Sequence, residues 1–175
     1  SSEQADYLSD STKSDHLNTI LDSGRHLQAL INDILDATRI EKGVMKLAEQ
    51  EGDAAELVEA AVKMCRDVAE KSDIVIIARV AEGIEIKGDI LRLKQVLINL
   101  ISNAAKFSAA GGFVNVGFEK TSAGGLAFMV RDAGCGIRAE DMERIFEPFV
   151  QAETGMDRRF GGIGLGLAIA RKIAA

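Results

Sequence analysis

Five polar side chains recur at spacings of three and four between residues 92 and 106: Arg92, Gln95, Asn99, Asn103 and Lys106. The rest of that stretch is mostly apolar (Ile90, Leu91, Leu93, Val96, Leu97, Ile98, Leu100, Ile101, Ala104, Ala105), which predicts a helix carrying one polar stripe. A narrow solvent face is one reading. The residue types favour another, because asparagine is a poor interior helix residue and a solvent face would sooner carry Glu or Lys. An amide oxygen can ligate Mg2+ and an amide NH2 can donate to phosphate, so two Asn and a Lys on one stripe suit a metal–phosphate group. Further on, Asp132 opens Asp132-Ala133-Gly134-Cys135-Gly136-Ile137. A carboxylate at a strand end can accept a hydrogen bond from an exocyclic amine such as that of adenine, and the glycines let a flat ring approach the backbone; an ordinary Asp-x-Gly turn is the alternative. Lastly, Gly161-Gly162-Ile163-Gly164-Leu165-Gly166-Leu167 runs into a helical pattern. Glycines at a helix start leave amide N–H groups for phosphate oxygens, or serve only close packing. No Gly-Lys-Ser/Thr follows, and the preceding residues are polar, so this is neither a Walker loop nor a dinucleotide fingerprint.

Positioning such groups takes a folded core, and the composition supplies one. Of 175 residues, 47% are hydrophobic and 27% charged, which fits one full globular domain plus an extra element. A net charge of −6 lacks the basic face of a nucleic-acid binder. Cys65 and Cys135 lie far apart, form no Cys-x-x-Cys pair, and fit a reducing compartment. No apolar run approaches the ~20 residues of a spanning helix, and residues 1–4 have no signal-peptide character. The expectation is a cytoplasmic segment without membrane contact, free or part of a membrane-bound sensor. Twelve of the 17 glycines fall in the last 65 residues, which crowds close-approach loops into that half.

From Ser14 to Glu41, Leu17, Ile20, Gly24, Leu27, Ile31, Ile34 and Thr38 step by threes and fours, a coiled-coil seam that must pack on other helices. Lys42-Gly43 ends it. Residues 44–51 read as a short strand, and Asp53 with Glu56 starts a helix whose apolar face is Leu57, Val58, Ala61, Met64, Cys65 and Val68. Strands follow over 74–80 and 84–87, and Asp89 caps the striped helix to about Phe107. A hairpin joins strands 113–119 and 126–132, a short helix covers 140–146, and a final helix begins near Ile163. Helices interleaved with hairpin-linked strands argue an α+β layered domain from residue 44.

The order Asn99-x-x-x-Asn103-Ala-x-Lys106-Phe107, Asp132-x-Gly134-x-Gly136-Ile137, Phe146-x-Pro-Phe149, Gly162-x-Gly164-x-Gly166-Leu167 resembles the asparagine, first glycine, phenylalanine and second glycine boxes of sensor histidine kinases. These belong to the ATPase superfamily shared with gyrase, Hsp90 and MutL. Ser23-Gly24-Arg25-His26-Leu27 and Leu30 to Asp36, followed by Arg39-Ile40-Glu41, look like the second helix of the family's dimerisation domain. The resemblance implies a two-layer α/β sandwich of the Bergerat type with a mixed sheet over 44–175, and a partial dimerisation region over 1–43, truncated at the C-terminal end of the first. It implies that the chain binds ATP with Mg2+. Asn103 would ligate the metal, Asn99 and Lys106 would help hold the phosphates, and Asp132 would bind the adenine amine beside Gly134, Gly136 and Ile137. Phe146 and Phe149 would hinge a cover over 150–161, while Gly162, Gly164, Leu165, Gly166 and Leu167 would offer backbone amides. Implied partners are a second copy, in a homodimer, and a response regulator.

Some residues depart from the family pattern. No His-Glu-Leu-Arg-like acceptor motif is present; His16 and His26 both fall on the second-helix pattern, so the phosphoacceptor is expected outside this chain. Ile163 stands where the family usually has Thr or Ser. A nucleotide-binding module without turnover is the alternative to a kinase. An ATPase acting on water would usually need a carboxylate near Asn103, where this chain has Gln95, Asn99 and Ser102. Arg158-Arg159 reads either as a γ-phosphate contact or as a solvated charge pair, and Cys135 as oxidation-sensitive or as a small filler.

Overall fold

The computed structural model describes residues 47–122, 124–150 and 164–174, together with fourteen positions between 16 and 38. Those fourteen are all helical, and Leu17, Ile20, Leu21, Leu27, Ile31, Ile34 and Leu35 among them are exposed. Residues 39–46, His26, Arg158-Arg159 and Gly162 lie outside the described residues.

Strand β1 (Gln50–Asp53) leads directly into helix α1 (Ala54–Lys71), with Asp53 accepting hydrogen bonds from the amides of Ala55 and Glu56. This is the capping role its position suggests. The strand is later than expected: residues 47–49 are not extended pairs, and β1 is placed by pairing antiparallel with β3 (Glu85–Gly88), Gln50 opposite Gly88 and Asp53 opposite Glu85. Strand β2 (Val75–Arg79) runs parallel to β4 (Phe113–Lys120), which forms a hairpin with β5 (Leu126–Arg131). The described strands thus make a mixed three-stranded sheet in the order β2-β4-β5 and a separate antiparallel pair.

Helix α2 (Ile90–Phe107) is capped by Asp89, one oxygen taking the Arg92 amide and the other the Ala48 amide, both at 3.1 Å. Its Leu97, Ile101, Ala104 and Ala105 meet Leu57, Val58, Ala61 and Cys65 of α1 above Val114 and Val116 of β4 in one buried core. Alternation along β4 turns those two valines inward. Helix α3 (Gly166–Ala174) packs against α2 and buries Ala168, Ile169 and Ala170, with Leu165 just before it also buried.

Two expectations are corrected. The segment 140–146 is a series of turns ending in a single 3-10 turn, Arg144–Phe146, which stops at extended Glu147 because the residue before Pro148 is disfavoured in a helix. The final helix starts at Gly166, since Gly164 at φ +72° cannot lie within a right-handed helix.

Candidate functional site

The polar stripe on α2 is no solvent face. Arg92, Gln95, Asn99, Asn103 and Lys106 are each half-buried, while apolar Leu91 on the same helix is exposed. Arg92 Nη1 donates to Gln95 Oε1 at 2.9 Å, which closes the first turn of the stripe. Asn99 Nδ2 donates to the carbonyl of Gly166 at 3.3 Å, fixing α3 against the middle of α2. That bond also sets the amide's orientation, since its NH2 is turned to a carbonyl and its oxygen faces the other way.

The loop after β5 docks at the other end of the same helix. Ser108 and Gly134 form an isolated antiparallel bridge, and the Cys135 amide donates to Phe107 O at 3.4 Å. Asp132 Oδ1 accepts the Gly134 amide at 2.8 Å, so its turn reading is correct as far as it goes, and the carboxylate remains exposed with a second oxygen. Glycine at 134 is required by proximity: a Cβ there would sit 2.5 Å from Phe107 O and 2.9 Å from Asp132 Oδ1. Gly136 and Ile137 follow as exposed residues at the rim.

Phe146 is half-buried, with the Arg171 guanidinium 5.7 Å from its ring centroid. Phe149 is exposed at φ +65°, a backbone conformation costly for a bulky residue, held there by its amide donating to Gly164 O at 3.0 Å. A Cβ on Gly164 would meet Val150 O at 2.6 Å, so 149–150 and 164 pass each other at backbone distance. Leu165 is buried as a whole residue, 1% exposed, between Gly164 and the start of α3. In α3 the Ile169 amide bonds Leu165 O at 2.9 Å, so the amides of Gly166, Leu167 and Ala168 have no acceptor within the helix.

Gly134, with Asp132 bonded to it, and Gly166 are therefore docked on one helix, α2, with Asn103 and Lys106 on the stripe between the two docking points, while Gly164 lies against residues 149–150. Sequence reasoning missed Asp141 and Arg171. The spacing Arg138-x-x-Asp141-x-x-Arg144 was available as a signal, but nothing in one sequence links residue 171 to 146. Among the described residues no group of three His, Cys, Asp or Glu could hold a metal ion. A divalent ion here would need the Asn103 amide oxygen together with phosphate and water oxygens, hard donors of the kind Mg2+ takes.

Residues 88–175 match the family model for histidine kinase-, DNA gyrase B- and HSP90-like ATPases. The chain is 35% identical over 164 residues to the autoinducer 2 sensor kinase/phosphatase LuxQ of Vibrio cholerae, covering 91% of this chain and 19% of that protein. A solved structure of full-length ShkA in complex with AMPPNP superposes with a TM-score of 0.75 at 33% identity, over 87% of this chain and 31% of that one. ThkA, solved in complex with the response regulator protein TrrA, gives 0.61 at 25% identity over 84% and 41%. The chain spans about a fifth of LuxQ's length. Its mixed sheet under two helices is the Bergerat-type sandwich of histidine kinase catalytic domains, and the chain belongs to the family of histidine kinase-, DNA gyrase B- and HSP90-like ATPases.

Proposed function

We propose that this chain is the Mg·ATP-binding part of a two-component sensor histidine kinase, passing the γ-phosphoryl group to a histidine outside these 175 residues for relay to a response-regulator aspartate. The observation that carries the reading is α2 as common support: it holds the Asp132 loop at Phe107–Ser108 and the start of α3 at Asn99. LuxQ's description as a sensor kinase, ShkA's nucleotide complex and ThkA's complex with a response regulator agree with it.

In this reading the exposed oxygen of Asp132 accepts the adenine amine, Gly134 and Gly136 keep that wall low, and Ile137 supplies apolar contact for the ring. Asn103 holds Mg2+, with the Asn99 oxygen and Lys106 beside the phosphates. Phe146 and Phe149 border the nucleotide on the side of residues 150–161. Backbone amides of Gly162, Gly164, Leu165, Gly166 and Leu167 face the phosphate oxygens, helped by the positive end of α3. Mg2+, when bound, neutralises phosphate charge. Phosphoryl transfer asks mainly for such positioning and charge stabilisation, so the chain needs no nucleophile of its own. The exposed apolar residues between 17 and 35 pair with a second copy, and the segment works in the cytoplasm.

Calorimetry with ATP in the presence and absence of Mg2+ tests the binding reading: magnesium-dependent heat is expected, and its absence from a folded sample overturns it. With the full-length kinase, label from γ-labelled ATP should be acid-labile and base-stable. ATP binding without such label would instead indicate a module lacking turnover.

A further inference from the structure

Asp141 is a charged residue 5% exposed, and the other acids among the described residues are exposed or, at Asp53 and Asp89, half-buried. Its two oxygens face different arginines: Arg138 Nε donates to Oδ2 at 2.8 Å, and Arg144 Nη1 stands 3.8 Å from Oδ1. Its backbone repeats the connection, with the Asp141 amide donating to Arg138 O and the Ile145 amide to Asp141 O, both at 2.9 Å. Arg138 directly follows Ile137 at the rim of the Asp132 loop, and Arg144 opens the turn that carries Phe146. The Phe146 ring meets the guanidinium of Arg171, an exposed residue of α3. A line of side-chain contacts, joined by the 3-10 turn that carries both Arg144 and Phe146, thus runs from the Asp132 loop through Asp141 to Arg171, and α3 is anchored back on α2 by Asn99.

A buried acid adds little net stability, because desolvation offsets the attraction of its partners, but it does demand one geometry. Arginine at 171 suits the same purpose, since a flat guanidinium over a ring fixes orientation as a lysine ammonium does not. We propose that Asp141 and Arg171 are positioning residues that hold the base-side loop and the phosphate-side loop at a set separation, with Phe146 as the spacer between them. Neither touches the nucleotide. Their effect falls on ligands that span both loops. The inference rests on the nucleotide assignment proposed above.

The test compares Mg·ATP, which spans both loops, with adenosine, which reaches the base side alone, by calorimetry on the 175-residue chain. Arg171→Met is exposed and is expected to fold as the parent does. It should weaken ATP about fivefold or more while adenosine changes less than about twofold, and Arg171→Lys should recover part of the loss. Asp141→Asn should also weaken ATP more than adenosine, with Asp141→Glu recovering part. Because both changes break one line of contacts, the double variant Asp141→Asn/Arg171→Met should be little weaker than the worse single variant. An unchanged ATP-to-adenosine ratio in Arg171→Met, or fully additive losses in the double variant, overturns the proposal. Asp132→Asn separates the two failures. If it binds ATP as the parent does, the nucleotide assignment fails and the inference with it. If it loses ATP while Arg171→Met does not, only the inference fails.

Discussion

At the residue scale the sharpest constraint is the division of labour within one carboxylate. Asp132 Oδ1 is already committed to the Gly134 amide, so the proposed recognition of an amine would fall to the other oxygen. Asp132→Asn preserves the turn, because its amide oxygen can still accept from Gly134. It then presents an NH2 donor to the incoming amine donor, and two donors cannot bond. ATP affinity should fall roughly 10- to 100-fold, the equivalent of about 1–3 kcal/mol for an unpaired polar group, while thermal stability stays near that of the parent. Calorimetry beside a thermal melt checks both halves. Gly134→Ala should behave in the opposite way. Its methyl group would lie 2.5 Å from a main-chain oxygen that cannot rotate aside, so the loop must move off α2. A stability loss of roughly 1–3 kcal/mol is expected in urea titrations, together with weaker ATP binding.

Between elements, α2 decides whether the site exists, and the part of the sequence that encodes it was readable. Its caps, its length and its stripe of Arg92, Gln95, Asn99, Asn103 and Lys106 followed from spacing and residue type. So did the hairpin and the α1 cap at Asp53, because those signals are local. What spacing could not supply was the tertiary packing along the stripe: α3 docks at Asn99 and the 132–135 loop at Phe107–Ser108, either side of Asn103 and Lys106. The start of α3 departs from the helical pattern for the same reason, backbone approach at Gly164, whereas the turns over 140–146 stop locally at extended Glu147 before Pro148. The α1–α2 seam carries its own consequence. Cys65 lies in that seam, 1% exposed, its thiol turned to Ile98 O at 3.7 Å. Burial pushes the thiol pKa up from 9.0 to about 11, with Lys106 pulling the other way. Folding therefore favours the protonated thiol. That contribution is intact below about pH 9 and is lost as pH rises towards 11, worth roughly 2–3 kcal/mol over the window. Urea stability should decline across pH 9–11 more steeply in the parent than in Cys65→Ala. A thiol reagent at neutral pH should meanwhile modify exposed Cys135 quickly and Cys65 only on unfolding.

For the whole molecule, the described helical residues between 16 and 38 pose the remaining energetic problem. Leu17, Ile20, Leu21, Leu27, Ile31, Ile34 and Leu35 are between 43% and 66% exposed. Seven large apolar side chains on one short stretch are far more than a soluble surface usually leaves in water. Their three-and-four spacing is that of a seam built to meet another helix, and each further buried leucine or isoleucine is worth roughly 1.5–3 kcal/mol. A second copy presents the same seam, so a two-fold arrangement satisfies both at once. The residues of the proposed nucleotide site, by contrast, all follow residue 88, and its two loops dock on α2 at Asn99 and at Phe107–Ser108. The two properties should separate. Ile20→Glu together with Ile31→Glu should convert a dimer into a monomer in analytical ultracentrifugation at micromolar concentration, because charge placed in a dry helical interface is strongly disfavoured. The same variant should bind Mg·ATP with a dissociation constant within about twofold of the parent, a difference of roughly 0.4 kcal/mol. A parent chain that sediments as a monomer would remove the second copy as the partner of this face. A dissociated variant that also lost ATP would show that the nucleotide pocket draws support from the paired helices.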